Sequence, residues 1–531
     1  MKNTLLTVMM MFVTVGFAQI DVSGDITSDV TWTATNTYRL TGQVFVKDGV
    51  TLTIEAGTNI YGKYGIYDAN NTAPALVIER GAKIMAEGTI DAPITFRSEL
   101  LETDPNYGNG RGLWGGLILN GKAPISTTGG ENFVEGIAGV LYGGTDPDDN
   151  SGVLRYVRVY NGGSVIGADN EINGITLAGV GRGTTVEYCE VGLNADDGFE
   201  MFGGTVDLKY CSVVQVKDDA FDTDEGYQGR GQFLFVQKAA DSDRAHEMDN
   251  KTNGDLDSQP RSHPRFANVT IIGGDASSDI LKLREGTGGD FRNYIIVGGA
   301  GDGIENDDNG SEVVTQNWTT AQAAGYPDYL YLSPHILMWN VADPFQDNTV
   351  ESFVFDSLDP GLSYTMGSDG FVVSVDPRPT AGGPAYSDVD SVIADDFFVQ
   401  TNYRGAFASN HNWLAGWSWL DENNVLLDVD DPSQSASVPG DFRIVSSYPN
   451  PFNPSTRIQV NLGSAHELTF SVYALNGALV YTEQFHHLNG SRHEFRWSGI
   501  DQNGSALPSG IYLYQVKTPN QIADGKLTLL K

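Results

Sequence analysis

Two runs of carboxylates carry the densest chemistry in this chain. Asp196, Asp197 and Glu200 form the first; Asp218, Asp219 and Asp222 form the second, with Asp224 close behind. The second run repeats the first at an offset of 22 residues. Carboxylate oxygens are hard ligands, and six or more converging from two neighbouring turns of chain would suit calcium. Without a cation they would repel one another. The plainer reading is that an Asp at each turn accepts backbone N–H groups. A third reading is glycan chemistry. Carboxylates about 6.5–9.5 Å apart serve an inverting hydrolase. A lyase would need a base beside the cation, for which Arg230, Lys282 and Arg284 can be nominated. No His-Gly or Arg-x-Lys partner follows the paired Asp, however. Gly-x-Ser-x-Gly, His-Glu-x-x-His and phosphate-loop strings are also absent. The eight histidines are scattered, which argues against zinc.

The elements that must position these acids follow from the same echo. Val186-Glu187-Tyr188-Cys189-Glu190-Val191 returns as Leu208-Lys209-Tyr210-Cys211-Ser212-Val213, and Phe199 maps onto Phe221. A fixed period in the low twenties, with short apolar runs and Gly, Asp or Asn turns, predicts a solenoid of stacked coils. The apolar pattern recurs at Leu154, Phe266 and Phe291 with spacing +2, +3, +5. A lone strand would give +2, +4. The slip predicts a corner, and Asn268 and Asn293 suit it because Asn tolerates the left-handed region.

A second string reads Asp197-Gly198-Phe199-Glu200, Asp219-Ala220-Phe221-Asp222 and Asp302-Gly303-Ile304-Glu305. It predicts an inward apolar residue with acids on turns. Insertions at 125–150 and 238–264 predict outward loops. The fold expected is all-β: a right-handed parallel β-helix over 19–311, with an irregular C-terminal cap over 312–427. The cap holds one short helix at Thr319 to Ala324. Trp413, Trp417 and Trp419 are either cap core or a sugar platform. Residues 428–445 read as a linker. Residues 446–531 show alternating strands and Asn-Gly turns, which predict an Ig-like sandwich.

Cys189 and Cys211 are the only two cysteines. Their spacing stacks them on adjacent coils about 4.8 Å apart. A buried reduced pair and a disulfide both remain open. The chain has 531 residues and a net charge of −36, which argues against a nucleic-acid partner and against anionic lipid. Lys2 followed by an apolar run from Leu5 to Phe17 reads as a secretory signal over 1–18, with cleavage between Ala18 and Gln19. No other segment is long and apolar enough to be transmembrane.

The C-terminal module resembles the sorting domain of type IX secretion substrates of Bacteroidota. The matching residues are Tyr448, Pro449, Asn450, Pro451, Phe452, Asn453, Pro454, Ser455 and Thr456. They are followed by Val472-Tyr473-Ala474-Leu475-Asn476-Gly477, Trp497-Ser498-Gly499, Gly510-Ile511-Tyr512 and the terminal Leu529-Leu530-Lys531. The resemblance implies export by type IX machinery through residues 446–531, then release or attachment to the outer face of the outer membrane. His466, His486 and His487 fit no part of that motif. The body resembles exported β-helix proteins carrying this tail. That likeness rests on Gly81 to Thr89, Trp114 to Gly121, Asn194 to Glu200 and Asn412 to Trp417. That group implies a fold and no settled activity.

The reading favoured on these grounds is a non-catalytic secreted or surface protein that binds glycan or another surface, with calcium as the one cofactor. The alternative is a polysaccharide lyase or glycoside hydrolase acting on acidic polysaccharide, for which β-helical lyases supply a fold analogy.

Overall fold

A computed structural model describes residues 18–64, 73–103, 109–164, 172–250, 254–274, 276–307, 309–347 and 353–427. Of the C-terminal part it describes 442–448, 452, 455–462, 467–474, 477–486, 492–518 and 522–529. The chain divides into two compact units at Leu426 and Leu427. Among the described residues no helix is long and apolar enough to cross a membrane.

The first unit is a parallel β-helix. Three strand stacks run along it, each joining the same segment of successive coils. In one stack Ile175 pairs in turn with Phe199, Phe221, His246, Leu281 and Ile304. In the second, Leu154 continues to Val186 and Leu208. In the third, Val159 continues to Val191, Val213, Val236, Ile271 and Ile296. These residues point inward and form one continuous buried core. At roughly 25 cal/mol per Å² of apolar surface, the stacked Val, Ile, Leu and Phe rows are the main source of stability.

The +2, +3, +5 slip is a corner, as the spacing predicts. Tyr156, Tyr188, Tyr210, Phe233, Asn268 and Asn293 all have φ between 48° and 60°. One left-handed residue per coil turns the chain sharply between the second and third stacks. A bulky residue there is disfavoured. Stacking across coils offsets the cost: Tyr156–Tyr188, Tyr188–Tyr210 and Tyr210–Phe233 centroids lie 4.7, 4.6 and 4.7 Å apart. Cys189 and Cys211 follow this corner, and both are buried free thiols. Burial pushes Cys211 up to about 12 and raises Cys189 well above its usual range.

Two expectations change, and the short helix is found. Winding does not stop at 311: strands Tyr329–Leu332, Leu337–Trp339 and Asp343–Asp347 pair onto the preceding coil. The loop expected over 238–264 contains a coil strand, His246–Met248. Its inward residue is a histidine, which hid it. His246 lies 5.6 Å from Phe221 inside the core, and burial holds its ring far below the usual range, at about 3. The short helix spans Trp318–Ala324, and Asn317 caps it by accepting from Thr319 and Thr320.

Residues 353–427 lie along the side of the coils. Arg158 donates to Trp417 O and pairs with Glu422. Asn268 donates to Tyr403 O, Gln232 to Val399 O, and Asp390 N donates to Asn293. Trp413 and Trp417 are 4% and 2% exposed, so they are core of this strap and no sugar platform.

The second unit, taken alone, is a seven-stranded sandwich. Strands Phe442–Tyr448, Thr456–Leu462 and Arg492–Trp497 form one antiparallel sheet; Leu479–His486, Glu467–Ala474, Gly510–Lys517 and Ile522–Leu529 form the other. Phe470, Phe495 and Trp497 lie in the core they share. Of the expected sorting motif, Phe452 is buried, Gly510 opens a strand, and Tyr512 donates to Pro508 O at 2.8 Å. Pro449, Asn450, Pro451, Asn453, Pro454 and Lys531 lie outside the described residues, as does the signal segment before Ala18. Gln19 sits in the first strand, Ala18–Ile26.

Candidate functional site

Strand alternation decides where the acids fall. Phe199, Phe221, His246, Leu281 and Ile304 face inward, so the next residue of each strand faces out. The outward row reads Thr176, Glu200, Asp222, Glu247, Lys282, Glu305 and Gln346. Glu200, Asp222 and Glu305 therefore lie on a sheet face, not on turns as their strings suggest. Beside this row lies a second one, in which Asp224 pairs with Phe202. Sequence reading missed Glu247 and Asp249 because the histidine broke the apolar cue.

The same face is apolar at its other end. Val77, Ile118, Ala178 and Phe202 pack under the insertion carrying Ile125, Val134, Ile137 and Val140. The insertion reaches the first of the acids, since its Glu135 acts electrostatically on Glu200. Its anchor is Glu225, which accepts from Tyr142 Oη at 2.5 Å and from Asn132 at 2.8 Å. The result is a sheet face covered at one end by the insertion, with acids beyond it that are themselves largely buried: Glu200 is 8% exposed, and the side chains of Glu247 and Glu305 are 13% and 16% exposed.

The turn acids behave differently. Asp197 Oδ1 accepts the N–H of Asp219 at 2.9 Å, and Asp219 Oδ1 accepts that of Arg244 at 2.6 Å. Each Asp thus tethers its turn to the next coil, which is the plain backbone role. Arg244 ends the series. It lies 3.6 Å from Asp219, 2.9 Å from Asp243 and 3.1 Å from Glu247.

Three groups of acids bring ligand atoms within 4.8 Å of one another: Asp196, Asp197 and Asp218; Asp197, Glu200 and Asp222; and Asp218, Asp219 and Asp243. The first six expected ligands are therefore brought together, though in overlapping trios. Asp224 belongs to none of them among the described residues. A calcium ion binds oxygens at about 2.3–2.6 Å, so two ligands on one ion lie at most about 5 Å apart. The Asp197–Glu200–Asp222 trio fits that limit. Asn173 donates to Glu200, while Asp222 Oδ1 has no hydrogen-bond partner. Burial first, then neighbouring carboxylates, raises Asp197, Glu200 and Asp222 well above the usual range. Burial brings Asp224 to about 7.

The nominated bases are all ion-paired. Lys282 bonds Glu305. Arg284 bonds Asp249 at 2.9 Å and Glu247 at 3.1 Å. Arg230 lies on another stack, held by Asp207 at 2.6 Å.

Residues 24–326 match the family model described as a pectate-lyase-like beta helix domain. Residues 450–521 match the FlgD Ig-like domain. No curated protein matches the chain. Among solved structures, dimeric latent PorU from Porphyromonas gingivalis is 19% identical over 16% of this chain, with a TM-score of 0.15; the match spans 9% of PorU. The enzymatically active domain of tailspike protein 2 of bacteriophage CBA120 is 10% identical over 93% of this chain and 72% of that one, with a TM-score of 0.25.

Proposed function

The chain belongs to the pectate-lyase-like β-helix family, and from that premise we propose that it is a secreted or surface-attached protein that binds polysaccharide along its acidic face without transforming it. The observation that carries this reading is the outward row Glu200, Asp222, Glu247, Lys282 and Glu305, laid on one flat sheet. Sheet carboxylates spaced by one coil, about 4.8 Å, match the reach of sugar hydroxyls along an extended glycan. Calcium completes the face at Asp197, Glu200 and Asp222. It supplies the positive charge that three crowded carboxylates lack, and it gives sugar oxygens a shared ligand.

Binding is favoured over catalysis by the state of the bases. Lys282, Arg244 and Arg284 are each ion-paired with carboxylates of the same face. A proton-abstracting base must be free to accept. The second reading, a lyase or hydrolase on acidic polysaccharide, is favoured by the fact that these cations stand among acids on one face, as a lyase needs. One experiment separates the two. The full mature chain is incubated with a polysaccharide panel, with and without EDTA, and both retention and new reducing or unsaturated ends are measured. Retention lost in EDTA with no new ends supports binding. New ends would move the conclusion to the enzyme, and neither retention nor product would remove both.

Export follows the resemblance of residues 446–531 to type IX sorting domains, supported by the match of 450–521 to an Ig-like module. In the native host, removing residues 446–531 is expected to trap the protein in the periplasm. Normal appearance outside the cell would end the type IX assignment.

A further inference from the structure

The second stack carries a cation with no partner in a chain with a net charge of −36. Arg230, Arg265 and Asp290 are register neighbours there. Arg230 is bound by Asp207, Asp395 and Asp396. Asp290 is occupied by Arg292, through contacts of 2.6 and 2.9 Å. Arg265 between them makes no side-chain hydrogen bond or ion pair among the described residues, and its Nε is buried without an acceptor. An unmatched buried donor is costly, and more so when charged. The guanidinium is held instead over the ring of Tyr326, 5.5 Å from its centroid. Tyr326 is 48% exposed, with His263 packed against it at 4.5 Å between ring centroids, and Arg265 beside it is partly exposed. Arg182, itself about half exposed, acts electrostatically on the same tyrosine. Arg265 also lines a small cavity with Asp290, Arg292, Val392, Ile393 and Phe398.

We propose that Arg265 and Tyr326 form an anionic-sugar site apart from the acidic face: the guanidinium takes an oxyanion, and the tyrosine ring stacks on the pyranose that bears it. A planar guanidinium with free donors matches a carboxylate or a sulfate ester alike. An exposed aromatic ring beside it selects a sugar over a bare ion. The overall charge repels anionic glycans, so an arginine outside any ion pair offers them a point of attachment. This site rests on the polysaccharide reading above and deepens it, by naming the charged unit and the second contact point on the chain.

The test titrates the full mature chain by calorimetry with three oligosaccharides of equal length: neutral, carboxylated and sulfated. The charged ligands are expected to bind about tenfold or more tighter than the neutral one, the value of a charge-assisted bond. Arg265→Gln should erase that margin and Arg265→Lys should restore part of it. Tyr326→Ala should weaken all three. Whichever charged ligand wins identifies the oxyanion. Asp222→Asn serves as the control on the other face: it should weaken the neutral ligand and leave the charge margin intact. Equal affinity for charged and neutral ligands, or a margin that survives Arg265→Gln with the fold intact by circular dichroism, overturns the site. So does inorganic sulfate competing as well as the sulfated sugar. If no oligosaccharide binds, the polysaccharide reading falls with it; if the neutral one binds and only the margin is missing, the site alone falls.

Discussion

Asp197 has two jobs that a substitution can separate. Its Oδ1 holds the Asp219 N–H, and its charge crowds Glu200 and Asp222. Asp197→Asn keeps an acceptor and removes the charge; Asp197→Ala removes both. In EDTA, urea unfolding should show Asp197→Asn at least as stable as the parent and Asp197→Ala weaker by about 1–2 kcal/mol. If both are equally destabilised, the tether is not what matters. A pH profile tests the crowding itself. A carboxyl whose folded pKa lies above its unfolded value binds more protons when folded, so stability falls as pH rises between the two. Asp224, at about 7 when folded and about 3.9 unfolded, places that window roughly between pH 4 and 7. The melting temperature in EDTA should drop across it. A profile that rises instead would contradict the burial of this face. The paired acids were legible as a site from their 22-residue echo. Their split into turn tethers and outward ladder was not, because spacing does not say which oxygen meets which N–H.

At the scale of elements, the left-handed corner is the device that makes a coil. Asn268 sits there with φ 56°, accepts from Gln232, and donates to Thr401 and Tyr403 O. Asn268→Ala loses those bonds and puts a side chain that disfavours this region at a left-handed position, a combined cost of about 2–4 kcal/mol. Asn268→Gly keeps the backbone and should cost about 1–2 kcal/mol less. Chemical denaturation of the two variants gives the comparison, and equal losses would mean the corner carries no conformational demand. The +2, +3, +5 slip located this corner correctly. The His246 strand escaped notice because a buried neutral imidazole fills an apolar slot that reads as polar. The strap was expected as a cap with loops along the side, but its contacts, such as Asn268 with Tyr403 and Arg158 with Glu422, join residues far apart in the chain, and no local pattern encodes them.

For the whole molecule, the division at Leu426 and Leu427 makes a prediction of its own. Each unit has its own core. A chain ending at Leu426 should keep the parent's thermal transition for the β-helix and its polysaccharide retention. Loss of either would show that the second unit contributes to the first. The periodic apolar rows, the Gly and Asn turns and the Asn-Gly hairpins determined the β-helix and the sandwich by sequence alone, since strand alternation and turn chemistry are local properties. Where the coils end, what covers their side, and which part of the long sheet stays open were decided only by tertiary structure. The acidic row became a face because stacking sets residues 22 to 35 positions apart side by side, while the insertion around Val134 covers the apolar end of the same sheet at Val77, Ile118 and Phe202. Burial and long-range neighbours raise the proton affinity of those carboxylates, and neither is a property of a residue or its spacing.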